Sequence, residues 1–245
     1  MRRRYKVLIA FLIVILAVFV GFVVWAETPP APMQQAYDAL ESDGNVTVVQ
    51  GQWLVFEPTK EYYATGFIFY PGGRVNPVSY APYAHEIASE GYLVVIVPMP
   101  LNLAVFGANS ANNVMAAYPN VTSWAVGGHS LGGSMAAQYI NDNPGKTEGL
   151  AFWAAYPPSG VNLSTADIKV VTIHGTNDGL VSSQQIIDSL NQLPPNTEVV
   201  EINGGNHAQF GWYGPQSGDN TAEISREQQQ QTTVNATVQM LEKIS

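Results

Sequence analysis

The chain has no cysteine. That excludes disulfides, thiolate metal sites and a cysteine nucleophile, and it frees the fold from any particular redox compartment. Charge is scarce too, at 12% of residues. Basic residues are the scarcest: from Glu27 onward six face nineteen acidic ones, a net charge of −13. A body so poor in lysine and arginine cannot neutralise a row of phosphates. Nucleic acid is therefore excluded as a partner, and binding of anionic lipid headgroups by the body is disfavoured. There is no internal repeat, and nothing in the residues requires a metal or an organic cofactor.

Apolar residues are plentiful, at 46% of 245, enough to fill the core of one α/β domain behind a leader. The longest apolar run lies at the N-terminus. The basic head Met1-Arg2-Arg3-Arg4-Tyr5-Lys6 precedes Val7 to Ala26, which contains no charge and has about the length of a bilayer-crossing helix. Positive charge stays inside, which places the body on the outer face of a cell membrane. The competing reading is a signal peptide cleaved after Val24-Trp25-Ala26, which leaves a secreted body. The length of the run favours an anchor. The expected organisation is an anchor or signal segment over 1–26, a proline-stiffened linker and short helix over 27–45, and a catalytic domain over 46–245.

Short β-rich runs alternate with helical ones along the body. Val46–Val49 and Trp53–Phe56 read as a hairpin. Buried strands are expected at Gly66–Tyr70, Tyr92–Val97, Trp124–Gly127, Leu150–Ala154, Val170–His174 and Glu198–Ile202. Helices are expected at Ser79–Glu90, Leu131–Asn143, Ser182–Leu190 and, as one long final element, Asp219–Ile244. Continuous apolar strands between helices predict a mostly parallel sheet covered on both faces. The glutamines at 228–231 read as a solvated helix face.

Within this frame Gly127-Gly128-His129-Ser130-Leu131-Gly132-Gly133 joins a predicted strand to a predicted helix. Gly-x-Ser-x-Gly at such a junction is a backbone requirement as well as a chemical one: the serine sits in strained backbone, and the flanking glycines avoid clashes in the tight turn. A serine hydroxyl is a weak nucleophile until a base removes its proton, and the base needs an acid to orient it. In an open α/β sheet such groups collect beyond the C-terminal ends of strands. Asp178 follows the strand ending at His174, and His207 follows the strand ending at Ile202. The order Ser130, Asp178, His207 is that of a Ser-Asp-His triad on such a sheet. The bland alternatives are a helix-capping role for Asp178 and a surface-loop role for His207. Asp167 and Asp188 are weaker candidates. His129 reads as a packing or pocket residue, His174 as a hydrogen-bonded core residue, and His85 as structural.

An oxyanion hole needs two convergent N–H groups. Leu131, at the start of the helix after Ser130, is the first candidate, and Gly72 or Gly73 in the turn after Tyr70-Pro71 is the second. Arg74 reads as a solvent-exposed charge. The apolar stretch Pro98–Gly107, through Met99, Leu101 and Phe106, can wall the substrate site on one side, and Phe210 on the other. No insertion is long enough for a large lid. The chemistry implied is hydrolysis of a small-molecule carboxylic ester or related acyl bond. Acyl transfer on the same triad and a non-catalytic binding protein on the same fold are the rivals; the intact triad pattern disfavours the second.

With these residues the chain resembles the α/β-hydrolase superfamily from about Val46 to Ser245. It is similar in particular to a compact bacterial and archaeal group in the dienelactone-hydrolase-like branch, through its PGG turn and its GYLVVIVPMPLNLAVFG, GGHSLGG, GTNDG and GGNHAQFG segments. The resemblance implies an α/β-hydrolase fold with Ser130 as nucleophile, Asp178 as acid and His207 as base. Two departures stand out: Tyr70-Pro71 where many relatives carry His-Gly, and a serine where dienelactone hydrolases use cysteine.

Overall fold

The computed structural model describes residues 2–60 and 63–245. Met1 and the side chains of residues 2–4, part of the basic head, lie outside that description. Eight strands form one sheet: β1 (Val46–Gln50), β2 (Leu54–Pro58), β3 (Thr65–Tyr70), β4 (Leu93–Ile96), β5 (Ser123–His129), β6 (Gly149–Trp153), β7 (Lys169–Gly175) and β8 (Glu198–Ile202). Their order is β1-β2-β4-β3-β5-β6-β7-β8. Only β2 runs against the rest, pairing antiparallel with both β1 and β4, so the predicted hairpin forms one edge of an otherwise parallel sheet.

Helices cover both faces, and strand alternation decides which side chain faces which layer. On β3 and β4, Phe67, Phe69, Val94 and Ile96 join one core. Ile68, Tyr70, Leu93 and Val95 join the other. The first core is closed by α3 (Ala81–Ser89) and α7 (Arg226–Glu242). The second is closed by α4 (Ala111–Ala117) and α5 (Leu131–Asp142). Because β3 and β5 are central and buried on both faces, the turns at their C-terminal ends are held rigidly.

The N-terminal helix α1 (Arg2–Glu27) is exposed along most of its length, and Tyr5–Glu27 is long and apolar enough to cross a membrane. Its last turn is docked on the body, with Ala26 fully buried. The following segment also lies on the body: the Met33 N–H donates to Trp212 O at 2.7 Å, and Ala36 of the short α2 (Gln34–Asp38) is fully buried.

Three expectations need correction. The final helix starts at Arg226, not Asp219. Ser225 and Gln228 form a capping box there, Gly218 turns the chain at φ +87°, and the Asp219 carboxylate is engaged in other bonds. The glutamine run is only half solvated, since Gln229 and Gln230 are buried and hydrogen-bonded. The predicted helix at 79–90 opens as a 3₁₀ turn, Pro77–Tyr80, before α3. Helix α4, which no sequence pattern marked, contributes Ala111 and Val114 to the second core.

Candidate active site

Ser130 lies between β5 and α5 at φ 52°, ψ −122°, a left-handed conformation that serine adopts only under constraint. The constraint is close backbone packing. A Cβ on Gly132 would stand 2.0 Å from the Tyr70 carbonyl oxygen, and one on Gly128 2.4 Å from the same atom. The Ser130 N–H is held by Trp153 O at 2.9 Å. The sharp turn predicted from the glycines is therefore present, with Ser130 partly exposed at the N-terminus of α5.

Asp178 and His207 meet from two loops. His207 Nδ1 is 2.8 Å from Asp178 Oδ2, with both side chains buried. The other carboxylate oxygen accepts from the Leu180 N–H (2.8 Å) and the Val181 N–H (2.7 Å). A carboxylate oxygen accepts, so the donor of the bond between them is assigned as His207 Nδ1–H. Nε2 is buried without a hydrogen-bond partner, and the Ser130 hydroxyl does not reach it in this structure. The His207 ring lies 4.5 Å from that of His129, the residue before Ser130.

Two residues that the sequence reading did not single out hold these loops. The Asp219 carboxylate accepts from the Gly179 N–H (3.0 Å), the His207 N–H (3.3 Å) and the Ala208 N–H (2.8 Å). It thus ties the Asp178 loop to the His207 loop. Gln229 on α7 clamps the residue before His207 from both sides: its Oε1 accepts from Asn206 N–H at 3.0 Å and its Nε2 donates to Asn206 O at 2.7 Å. The readable signal for Asp219 was the Ser-Gly-Asp-Asn turn; for Gln229 there was none.

The turn after β3 distinguishes the two glycines. The Gly72 N–H donates to the buried Tyr80 hydroxyl at 2.9 Å. The Gly73 N–H has no partner among the described residues, and neither has that of Leu131. The two residues are neighbours across the turn, since a Cβ on Gly73 would stand 3.2 Å from Leu131 Cδ2. The Tyr80 hydroxyl also lies 2.9 Å from His129 Nδ1. With its oxygen receiving Gly72, Tyr80 donates its proton to His129. Burial first, and the neighbouring His207 second, hold the His129 pKa well below the ordinary value, so the ring is neutral.

The expected walls differ in kind. Phe106 is exposed and Leu101 half-buried, whereas Met99 is buried. Phe210 is fully buried and stacked on His129 at 5.7 Å, so it backs the site from beneath instead of lining its surface. A cleft of about 350 Å³ opens beside Gly73, lined by Pro30, Arg74, Val75, Tyr213 and Gln216 among others. Arg74 is not a free charge: its guanidinium donates to Trp25 O (2.8 Å) and Thr28 O (3.0 Å) at the end of α1.

His85 is structural, placed between Ala39 O (3.0 Å) and Asp43 Oδ2 (3.1 Å). His174 departs from the expectation of a bonded core residue. It is buried, and its Nε2 faces Glu201 at 3.4 Å without a hydrogen bond at either ring nitrogen. Burial lowers its pKa. Among the described residues no group of three or more His, Asp or Glu stands in metal-binding reach.

A profile of the alpha/beta hydrolase family matches residues 66–231, more than half of the chain. The chain belongs to that family. Its fold is similar to that of a thermophilic esterase from the Planctomycetes species Thermogutta terrifontis, at TM-score 0.61 and 13% identity over 82% of this chain and 93% of that one. It is also similar to a predicted CIB-like hydrolase from Thermoplasma acidophilum, at TM-score 0.59 and 12% identity over 79% and 97%. The esterase domain of a Rhodothermus marinus protein aligns at TM-score 0.53 and 11% identity over 63% and 83%. No curated protein matches the sequence.

Proposed function

We propose that this protein is a serine hydrolase that cleaves carboxylic esters and is held in a membrane by α1. The observation that carries the reading is the Asp178–His207 pair, with an unpartnered, buried His207 Nε2 beside the strained Ser130 turn. Ser130 Oγ attacks the ester carbonyl carbon as His207 Nε2 takes its proton. Asp178 orients the ring and stabilises the imidazolium. The Leu131 and Gly73 N–H groups receive the oxyanion, and α5 adds the positive end of its dipole. Gly72 is excluded from that role because Tyr80 already occupies its N–H. Collapse breaks the ester C–O bond, and the proton on His207 passes to the departing alcohol. Water, activated by the same Nε2, then splits the acyl-enzyme, releasing the acid and restoring Ser130. The esterases among the structural neighbours support the substrate class.

Retention of α1 is supported by its docked end: Ala26 is fully buried and its carbonyl accepts from Asn102 Nδ2 at 3.1 Å. With the basic head inside, the body lies on the outer face.

The test is labelling of the full chain in detergent with a fluorophosphonate probe, beside Ser130→Ala. Labelling lost in the variant, with ester turnover down by roughly 10⁴-fold, is expected. No labelling of the folded native protein overturns the reading. Intact mass from membranes tests the anchor: a mature chain beginning at Glu27 overturns it.

A further inference from the structure

The end of α1 is not joined to an arbitrary part of the body. Its last carbonyls are received by Arg74 and Asn102. Arg74 directly follows Gly73, and its own N–H donates to Asn102 O at 2.8 Å. Among the described residues five non-glycine residues have positive φ; three of them, Arg74, Leu101 and Asn102, lie in this grip, and a fourth is Ser130. Backbone strain of this kind persists only where the surroundings enforce it. Arg74 also stacks over the Trp25 ring at 4.2 Å, and tryptophan near a helix end is the residue type that settles at a bilayer surface. The 3₁₀ turn Ala104–Phe106 follows Asn102 by two residues and presents Val105, 48% exposed, and Phe106, 56% exposed. Pro30, four residues past Ala26, lines the cleft beside Gly73.

We propose that the mouth of the site lies against the membrane in which α1 is anchored, with Val105 and Phe106 dipping into it, and that the substrate is a long-chain acyl ester taken from that bilayer. The proposal rests on the hydrolase and anchor readings above. A helix that emerges from the bilayer and is gripped one turn from its end places the gripping loops at the headgroup level. The body carries six basic residues against nineteen acidic ones, and Arg74 is engaged by α1, so attraction to anionic headgroups is not available. The contact is apolar, and the fitting lipid is neutral or zwitterionic.

The absence of native cysteine allows a single label. Full-length Val105→Cys, carrying an environment-sensitive fluorophore, is reconstituted in phosphatidylcholine vesicles that contain lipid with a nitroxide near the headgroup. Val199→Cys is the reference; Val199 is exposed near the start of β8, at the end of the sheet away from the site. Quenching at Val105 should exceed that at Val199 severalfold; equal quenching overturns the membrane contact. The native chain is then given 4-methylumbelliferyl palmitate either in its own vesicles or in separate ones. Turnover about tenfold faster in shared vesicles is expected from the local concentration of a bilayer-held ester. Equal turnover overturns the route, and no turnover by protein whose Ser130 still reacts with fluorophosphonate overturns the substrate class. If Ser130 does not react, the hydrolase reading fails and takes the substrate with it, while the quenching result still decides the membrane contact.

Discussion

The Ser130 turn and the Asp178–His207 pair lie side by side but are held by different means. The turn is built from seven consecutive residues, and its shape is enforced by contacts with Tyr70 and Trp153 on the neighbouring strands. The pair is assembled from two loops that share few local constraints. It depends on Asp219, beyond both loops, and on Gln229, a turn into α7. A short motif can carry a strained turn because steric exclusion acts between near neighbours in a rigid sheet. A buried acid–base pair on loops needs hydrogen-bond acceptors brought from elsewhere, since each buried N–H left open is destabilising.

This contrast can be broken first at Gly132. Gly132→Ala puts a Cβ where the Tyr70 carbonyl stands, and neither backbone can yield. Destabilisation of several kcal/mol is expected, read as loss of folded, probe-reactive protein in detergent. A variant that melts like the native chain would show that the turn is not sterically enforced. Asp219→Ala tests the loops. It leaves four N–H groups, those of Gly179, His207, Ala208 and Asn220, without their acceptor but keeps Ser130; on the proposed mechanism kcat/KM should fall by about 10–100-fold as His207 loses its position. Fluorophosphonate should still label Ser130 slowly. Unchanged kinetics would mean that the loops hold themselves. Gln229→Ala should act in the same direction through Asn206, with a stability loss of about 1–3 kcal/mol from an unsatisfied buried group, measured by thermal melting in detergent.

A smaller effect sharpens the comparison from the turn's side. Ser130→Gly removes the φ 52° strain along with the nucleophile. It should stabilise the protein by about 1 kcal/mol while abolishing activity. A drop in melting temperature would contradict the strain. The smallest effect is in pH. His129 is held neutral in the fold, its pKa well below 6.5, and unfolding restores the ordinary value. Below pH 6.5 the unfolded chain therefore binds a proton that the native one refuses. Native stability should fall by roughly 1 kcal/mol per pH unit on that account. His129→Phe should flatten the decline between pH 6.5 and 5, leaving the part due to His174. An undiminished slope would place the titration elsewhere.

Much of the molecule was legible because its signals are local. The strands from β3 to β7 are continuous apolar runs that only a doubly covered sheet can bury, and the glycines around Ser130 reported the turn. The positions of Asp178 and His207 followed from their places after strands, and the structure joins them at 2.8 Å. The misread elements were those whose side chains have distant partners. Asp219–Ser225 has helix-compatible residues, yet the Asp219 carboxylate is committed to the loops at 179 and 207–208. Four glutamines look alike in sequence, and α7's rotation against Asn206, Trp212 and Glu86 buried two of them. Arg74 looked like a solvated charge until the end of α1 arrived beside it.

By itself the amino-acid sequence determined the alternation of strands and helices, the strained serine turn, the apolar leader and the order of the three candidate catalytic residues, because periodicity, steric exclusion and apolar length act between residues close in the chain. Only the tertiary structure decided that Gly73 and not Gly72 keeps a free N–H, that Asp219 and Gln229 hold the loops of Asp178 and His207, and that α1 ends beside Gly73 and Arg74. Each of these depends on which hydrogen-bonding group meets which across the fold, and burial makes that pairing obligatory without any local pattern to announce it.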